Sequence, residues 1–174
     1  MTTAPSRPPV RQSVLVRSPR EHAFETFVAR MGAWWPVNPF SVGKDRVRDV
    51  TVERRVGGRV RETWADGTQI DWGTLLAWDP PQRFKMNWAI VSALTEVELT
   101  FAALGPSLTR VSLVHSGWEK LSDAELAADC ALTGGYLNGS FGKGWTLILR
   151  RLAAAAEDGL VPDTELAGTS DQRQ

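Results

Sequence analysis

At 174 residues the chain has the length of one domain rather than two, with room for a sizeable core. Twenty Lys and Arg balance twenty Asp and Glu, and this zero net charge removes the electrostatic motive for gripping nucleic acid or an anionic membrane surface. A single Cys, Cys130, excludes an internal disulfide and a cysteine-based metal cluster. Eight Trp against one Tyr ask for a large apolar interior. The opening MTTAPSRPPV holds no apolar run of signal-peptide length, and no stretch of eighteen apolar residues occurs anywhere. The expected location is cytoplasmic.

In chain order, residues 1–9 are rich in Pro, Thr and Ser and are expected to form a flexible arm. From Val10 to Arg17, Val14 and Val16 alternate with Leu15 and Arg17, which predicts a first strand. Ser18-Pro19-Arg20-Glu21 then predicts a helix start, with Ser18 as cap and Pro19 at the first helical position. Ala23, Phe24, Phe27, Val28 and Met31 share one face of that helix, and Gly32 is expected to end it. Trp34-Trp35-Pro36-Val37-Asn38-Pro39-Phe40 is aromatic, interrupted by Pro, and expected to be irregular.

From residue 47 to 118 the pattern is that of a meander. Gly57-Gly58, Asp66-Gly67, Pro80-Pro81 and Gly105-Pro106-Ser107 punctuate six strands, near 48–56, 59–65, 69–78, 83–90, 95–103 and 109–117. Strands joined by short turns should be antiparallel neighbours. Ser122-Asp123-Ala124-Glu125 reads as a capping box for a short helix. After Gly134-Gly135 comes the longest helical pattern, with Leu137, Phe141, Trp145, Ile148, Leu152 and Ala156 on one stripe. Residues 159–174 lose this periodicity and are expected to form a flexible tail, so the expected domain is 10–158.

In this order the segments resemble the START-like (SRPBCC) superfamily, and within it the small bacterial relatives of the Hsp90 ATPase activator's C-terminal domain. The resemblance is carried by Ser18-Pro19-Arg20-Glu21-His22-Ala23-Phe24, Trp34-Trp35-Pro36, Gly57-Gly58-Arg59 with Asp66-Gly67, the run from Gly73 to Phe84, His115-Ser116-Gly117-Trp118, and Gly144-Trp145 with Leu149-Arg150-Arg151-Leu152. It spans residues 11 to 157. It implies an α+β helix-grip fold, a curved antiparallel sheet wrapped around a long C-terminal helix. The family holds lipid and polyketide binders, aromatase/cyclases and co-chaperone domains, so the fold alone does not choose among them.

On such a fold Trp34, Trp35, Phe40, Trp64, Trp72, Trp88, Phe141 and Trp145 would border the space between sheet and helix, and are the candidate ligand-binding residues. Glu62 joins them because it shares a strand face with Val60 and Trp64, and His115 because it shares one with Val111 and Leu113. The carboxylate is expected either to pair with an Arg of a neighbouring strand or, unpaired, to titrate high and serve as a ligand group or general base. His115 would be its polar partner, or a core imidazole bonded to backbone. Asp71 and Asn87 have the opposite parity to Trp72 and Trp88 and face away if those indoles face in. Two His and one Cys give no HExxH, CxxC or facial-triad spacing, so no metal and no cofactor is expected. The glycines around Ser140 lack the order of a phosphate loop, and Ser140 lacks a nucleophile context. Arg residues at 54–61 alternate with Glu53 and Glu62 and read as a solvated face.

The expected function is binding of a hydrophobic, aromatic or polycyclic small molecule. The alternatives are a cyclase- or hydrolase-type enzyme using the same pocket, and a co-chaperone-like interaction protein with no ligand; a homodimer stays open. Removing residues 1–9 and 160–174 together should leave the Tm within a few degrees in a thermal scan, since neither segment carries a periodic apolar face.

Overall fold

The computed structural model describes residues 7–89, 93–129 and 135–158. The expectations for residues 1–6, for Cys130 and for the tail from residue 159 onward lie outside them. Among the described residues, seven strands form one sheet in the order β1-β7-β6-β5-β4-β3-β2, every neighbouring pair antiparallel. They are β1 (Val10–Val16), β2 (Val47–Val52), β3 (Arg59–Trp64), β4 (Gln69–Asp79), β5 (Arg83–Trp88), β6 (Thr95–Gly105) and β7 (Leu108–Ser116). This is the meander expected from the turn residues, with the first strand folded back against the last.

Helix α1 (Arg20–Ala29) and helix α4 (Ser140–Asp158) lie on the inner face of the curled sheet, with α2 (Met31–Trp34) beside them and α3 (Asp123–Asp129) at the approach to α4. Trp145, Ile148, Leu149, Leu152 and Ala156 are buried on α4, and Phe24, Phe27 and Val28 on α1. Each large apolar side chain withdrawn from water contributes about 1.5–3 kcal/mol, so these stripes hold both helices down. Polar contacts then fix the far end of α4. Glu157 Oε1 accepts from the Arg17 amide at 2.9 Å, and Ala156 O accepts from His22 Nε2 at 3.0 Å. Arg151 Nε donates to Trp34 O at 3.0 Å.

The structure corrects several local expectations. Ser18 does not cap α1; the cap position is Pro19 and no side chain bonds there. Helix α1 stops at Ala29, and the one-turn α2 runs straight across Gly32. That glycine answers a close approach instead, because a Cβ there would run into the Asp49 carboxylate of β2. Before α4, residues Gly135–Gly139 form a π-helical turn. The capping box at Ser122 is present, with the Ser122 amide donating to Glu125 Oε2 at 2.8 Å and the Glu125 amide to Ser122 Oγ at 3.2 Å. Within the segment expected to be a loose arm, Arg7 Nη2 donates to Asp123 Oδ1 at 2.7 Å and Pro8 O accepts from the Tyr136 hydroxyl at 2.9 Å.

Two bulges break the strict alternation of the sheet. Between β3 and β4 the register steps from Val60 opposite Gly73 to Arg61 opposite Asp71, which leaves Trp72 as the extra residue. Trp72 and Leu75 therefore both face inward although three positions apart, and both are buried. Gly73 is required beside this bulge, because a Cβ there would strike the Asn87 carbonyl oxygen. The second bulge, between β4 and β5, leaves Leu76 unpaired and turned outward.

Candidate functional site

Glu62 is fully buried on the inner face of β3. Its Oε1 accepts from Trp72 Nε1 at 2.7 Å and from the Val42 amide at 2.8 Å. Its Oε2 accepts from Trp64 Nε1 at 2.6 Å and from the Gly43 amide at 2.8 Å. Neither sequence expectation holds: no Arg among the described residues pairs with it, and it is not unpaired. Burial pushes the carboxyl up, but the two indole and two backbone N–H groups together outweigh that and hold it below the ordinary glutamate range. The four donors fill the lone pairs that a general base would need, so the geometry gives this anion a positioning role. It clamps the 42–43 backbone onto the sheet and aims two indoles. The guanidinium of Arg46 closes over the Trp64 ring, 4.1 Å from its centroid.

His115 is the second buried ionisable group on the inner face among the described residues. Trp145 Nε1 donates to its Nδ1 at 3.1 Å, which places the ring proton on Nε2. That N–H meets Thr95 Oγ1 at 2.7 Å, and the Thr95 hydroxyl in turn donates to Trp88 O at 3.4 Å. Burial pushes the imidazole down to about 3, so it is neutral throughout the physiological range. The bonds run to side chains rather than to backbone, and Glu62 is not its partner. Trp118 covers one face of the ring at 4.3 Å between centroids and donates its Nε1–H to His115 O at 2.8 Å; Phe141 meets the ring edge at 5.4 Å.

Between these two anchors the aromatic residues divide into groups. Trp35, Trp88 and Trp145 line a small cavity together with Phe27, Phe84 and aliphatic side chains of β2, β3, β5 and β6. Its volume is about 10 Å3, the room of one water-sized probe, so rings fill most of the space that the sequence left for a ligand. Trp72 stands behind Trp35 and Trp88, at 5.0 and 5.8 Å between centroids. Trp34 packs on Phe27 at 5.1 Å and gives its N–H to Thr26 O at 2.8 Å, under α1 and away from the cavity. Phe40 and Trp64 are half-buried, Phe40 against Gly144 of α4 and Trp64 at the end of β3. Phe141 belongs to the His115 cluster.

Asp71 and Asn87 face away from the cavity, as their parity requires: Asp71 pairs with Arg59 and Arg61, and Asn87 Oδ1 accepts from the Thr74 amide at 2.8 Å. Arg54 and Arg55 pair with Glu25 and Glu53 on an exposed surface. Sequence reasoning missed Thr95 and Trp118. Thr95 has the inward parity of Val97, Leu99 and Phe101, and that was a readable signal. Trp118 follows the strand and carries no periodic mark. Among the described residues no three His, Cys, Asp or Glu side chains stand together as metal ligands, and no helix is long and apolar enough to cross a membrane.

Glu62→Gln keeps the side-chain shape but turns an NH2 group toward N–H donors, leaving at least two of the four unmet. At roughly 1–3 kcal/mol for each buried donor left unmet, the variant should lose about 2 kcal/mol or more in urea unfolding at neutral pH. Because the folded pKa lies below the unfolded value of about 4.3, the stability from the anion is present above that pH and is lost as pH falls through the folded value. The two proteins should therefore converge in acid. Equal stability at pH 7 would contradict the positioning role.

The family model described as Activator of Hsp90 ATPase homolog 1-like protein matches residues 17–157. Among solved structures the chain is similar to the anthrahydroquino-γ-pyrone synthase Txn09 complexed with SUM, at 31% identity over 85% of this chain and 96% of that one, with a TM-score of 0.54. It is similar to the self-sacrificing resistance protein CalC from Micromonospora echinospora at 25% identity, over 89% of this chain and 97% of that one, with a TM-score of 0.60. DynU16, a putative protein of the dynemicin biosynthetic locus, shares the fold at 19% identity; the match covers 90% of this chain and 49% of that one, with a TM-score of 0.62. No curated protein matches the chain. With the seven-stranded curled sheet and its C-terminal helix, these matches place the chain in the Activator of Hsp90 ATPase homolog 1-like family, within the START-like (SRPBCC) superfamily.

Proposed function

We propose that the protein binds a planar, aromatic or polycyclic, largely apolar small molecule between the sheet and α4. One observation carries this reading: Trp145 both walls the central cavity and supplies the N–H that satisfies His115 Nδ1. A single movement of that indole would free ring-sized space and uncover a buried hydrogen-bond acceptor on its wall. A ligand with an aromatic body and one hydroxyl would replace both, the body filling the space with the displaced indole packed against it and the hydroxyl bonding Nδ1. Small-molecule sites hold about 300–1,000 Å3, far above the 10 Å3 found in the closed core, so binding requires such a movement.

The ring geometry supports a planar guest. Trp35, Trp88 and Trp145 meet one another at 5.2–6.3 Å between centroids, tilted or edge to face, and none is stacked face to face on another. The synthase relative supports the polycyclic class, since its name carries an anthrahydroquinone and its structure is a complex. Sequestration, transport or sensing would each use such a site without chemistry. The same relative favours a second reading, an enzyme of the cyclase type. There the neutral His115, released from Trp145, would orient the ligand by accepting a hydrogen bond from its hydroxyl at Nδ1.

An environment-sensitive apolar dye should bind near stoichiometrically, and Trp145→Ala should raise its Kd about tenfold, the loss of about 1.4 kcal/mol of ring contact. If no apolar probe binds at any accessible concentration, the closed core is only a core, and the interaction-protein reading takes its place.

A further inference from the structure

A groove on the outer side of α4 stands apart from the core. It holds about 300 Å3 between α4 and the inner face of β1, and Gln12, Gly142, Lys143, Leu147 and Arg150 line it with Leu137 of the π-helical turn. That volume reaches the lower end of the range for small-molecule sites. Gly142 is part of the lining, and a Cβ there would run into the Leu137 carbonyl oxygen, so only glycine lets the π-helical turn close against α4 at this point.

The chemistry of the lining is not that of an ordinary solvated face. Gln12 has the inward parity of Val10, Val14 and Val16 and stands opposite the buried Leu113 of β7. A polar group in such a row normally has a partner. The Gln12 amide has none among the described residues, and it lies 3.9 Å from the place where a Gly142 Cβ would stand. Leu147 keeps 43% of its surface exposed on the rim. Lys143 and Arg150, two turns and about 10 Å apart on the helix, are exposed. Among the described residues neither has a carboxylate partner and no acidic side chain lines the groove. Cations at both ends, an apolar wall and a half-buried amide free to take a guest describe one class of guest.

We propose that this groove is a second binding site, for a small amphipathic carboxylate. The apolar body would lie along Leu137 and Leu147, with Arg150 or Lys143 holding the carboxylate and Gln12 donating to its second oxygen. The site is independent of the ligand reading of the core.

The test uses the full chain and monomeric dodecanoate, followed by backbone and side-chain amide chemical shifts. Shifts should centre on Gln12, Gly142 and Leu147, and should persist in Trp145→Ala. The exposed pair Lys143→Glu/Arg150→Glu should keep its Tm and raise the dodecanoate Kd at least tenfold. Dodecanol, which lacks the charge, should bind more weakly and be indifferent to the double substitution. Shifts confined to the Trp35, Trp88 and Trp145 indoles would overturn the proposal. So would a dodecanoate affinity unchanged by charge reversal, or association with anionic vesicles without binding of the free carboxylate.

Discussion

A carboxylate removed from water must be compensated nearly atom for atom, and at Glu62 the compensation comes from four N–H groups drawn from three parts of the chain. One donor is the neighbouring Trp64 on the same strand. One is Trp72, which reaches the carboxylate because the β4 bulge turns it inward. Two are consecutive backbone amides of the loop that follows the aromatic 34–40 segment. Meeting the requirements of this one anion therefore fixes the loop over β3, the inward aim of Trp72, and through its ring contacts the positions of Trp35 and Trp88. The aromatic interior is arranged around a charge.

His115 provides the opposite kind of anchor. It is neutral, burial keeps it so, and three hydrogen bonds in a row run from Trp145 through the imidazole to Thr95 and on to the Trp88 carbonyl. Two of these bonds lie within the strands, whereas the Trp145 bond spans sheet and helix. Glu62 is met by four donors, two on each carboxylate oxygen. Nδ1 of His115 is met by one side chain that rotates on two torsions. The two buried ionisable groups thus differ in what holds them: four donors from three segments at Glu62, and at His115 Nδ1 a single bond across sheet and helix.

Much of the architecture was legible in the sequence. Turn residues and alternation located all six strands of the meander, their antiparallel order and the long terminal helix, because hairpin chemistry and hydrophobic period are local signals. The inward parity of Glu62 and His115 was local too. Their partners were not. Backbone amides of Val42 and Gly43 have no side-chain signature, and nothing between residues 18 and 32 shows that Gly32 serves contact with Asp49 while Ser18 caps nothing. The bulge that admits Trp72 appears only when β3 and β4 are paired. The small volume of the cavity among the described residues was hidden for a similar reason: eight Trp were legible as apolar payload, but how tilted rings interdigitate is a property of the packed state.

The account makes the space between sheet and α4 a ligand site closed by its own indoles, and native mass spectrometry of freshly purified protein tests that most directly. It predicts a co-purifying apolar molecule that dissociates on denaturation and is depleted in the Trp145→Ala variant. A population showing only the bare chain mass, unaltered after incubation with planar polycyclic hydroxyaromatics, would contradict it.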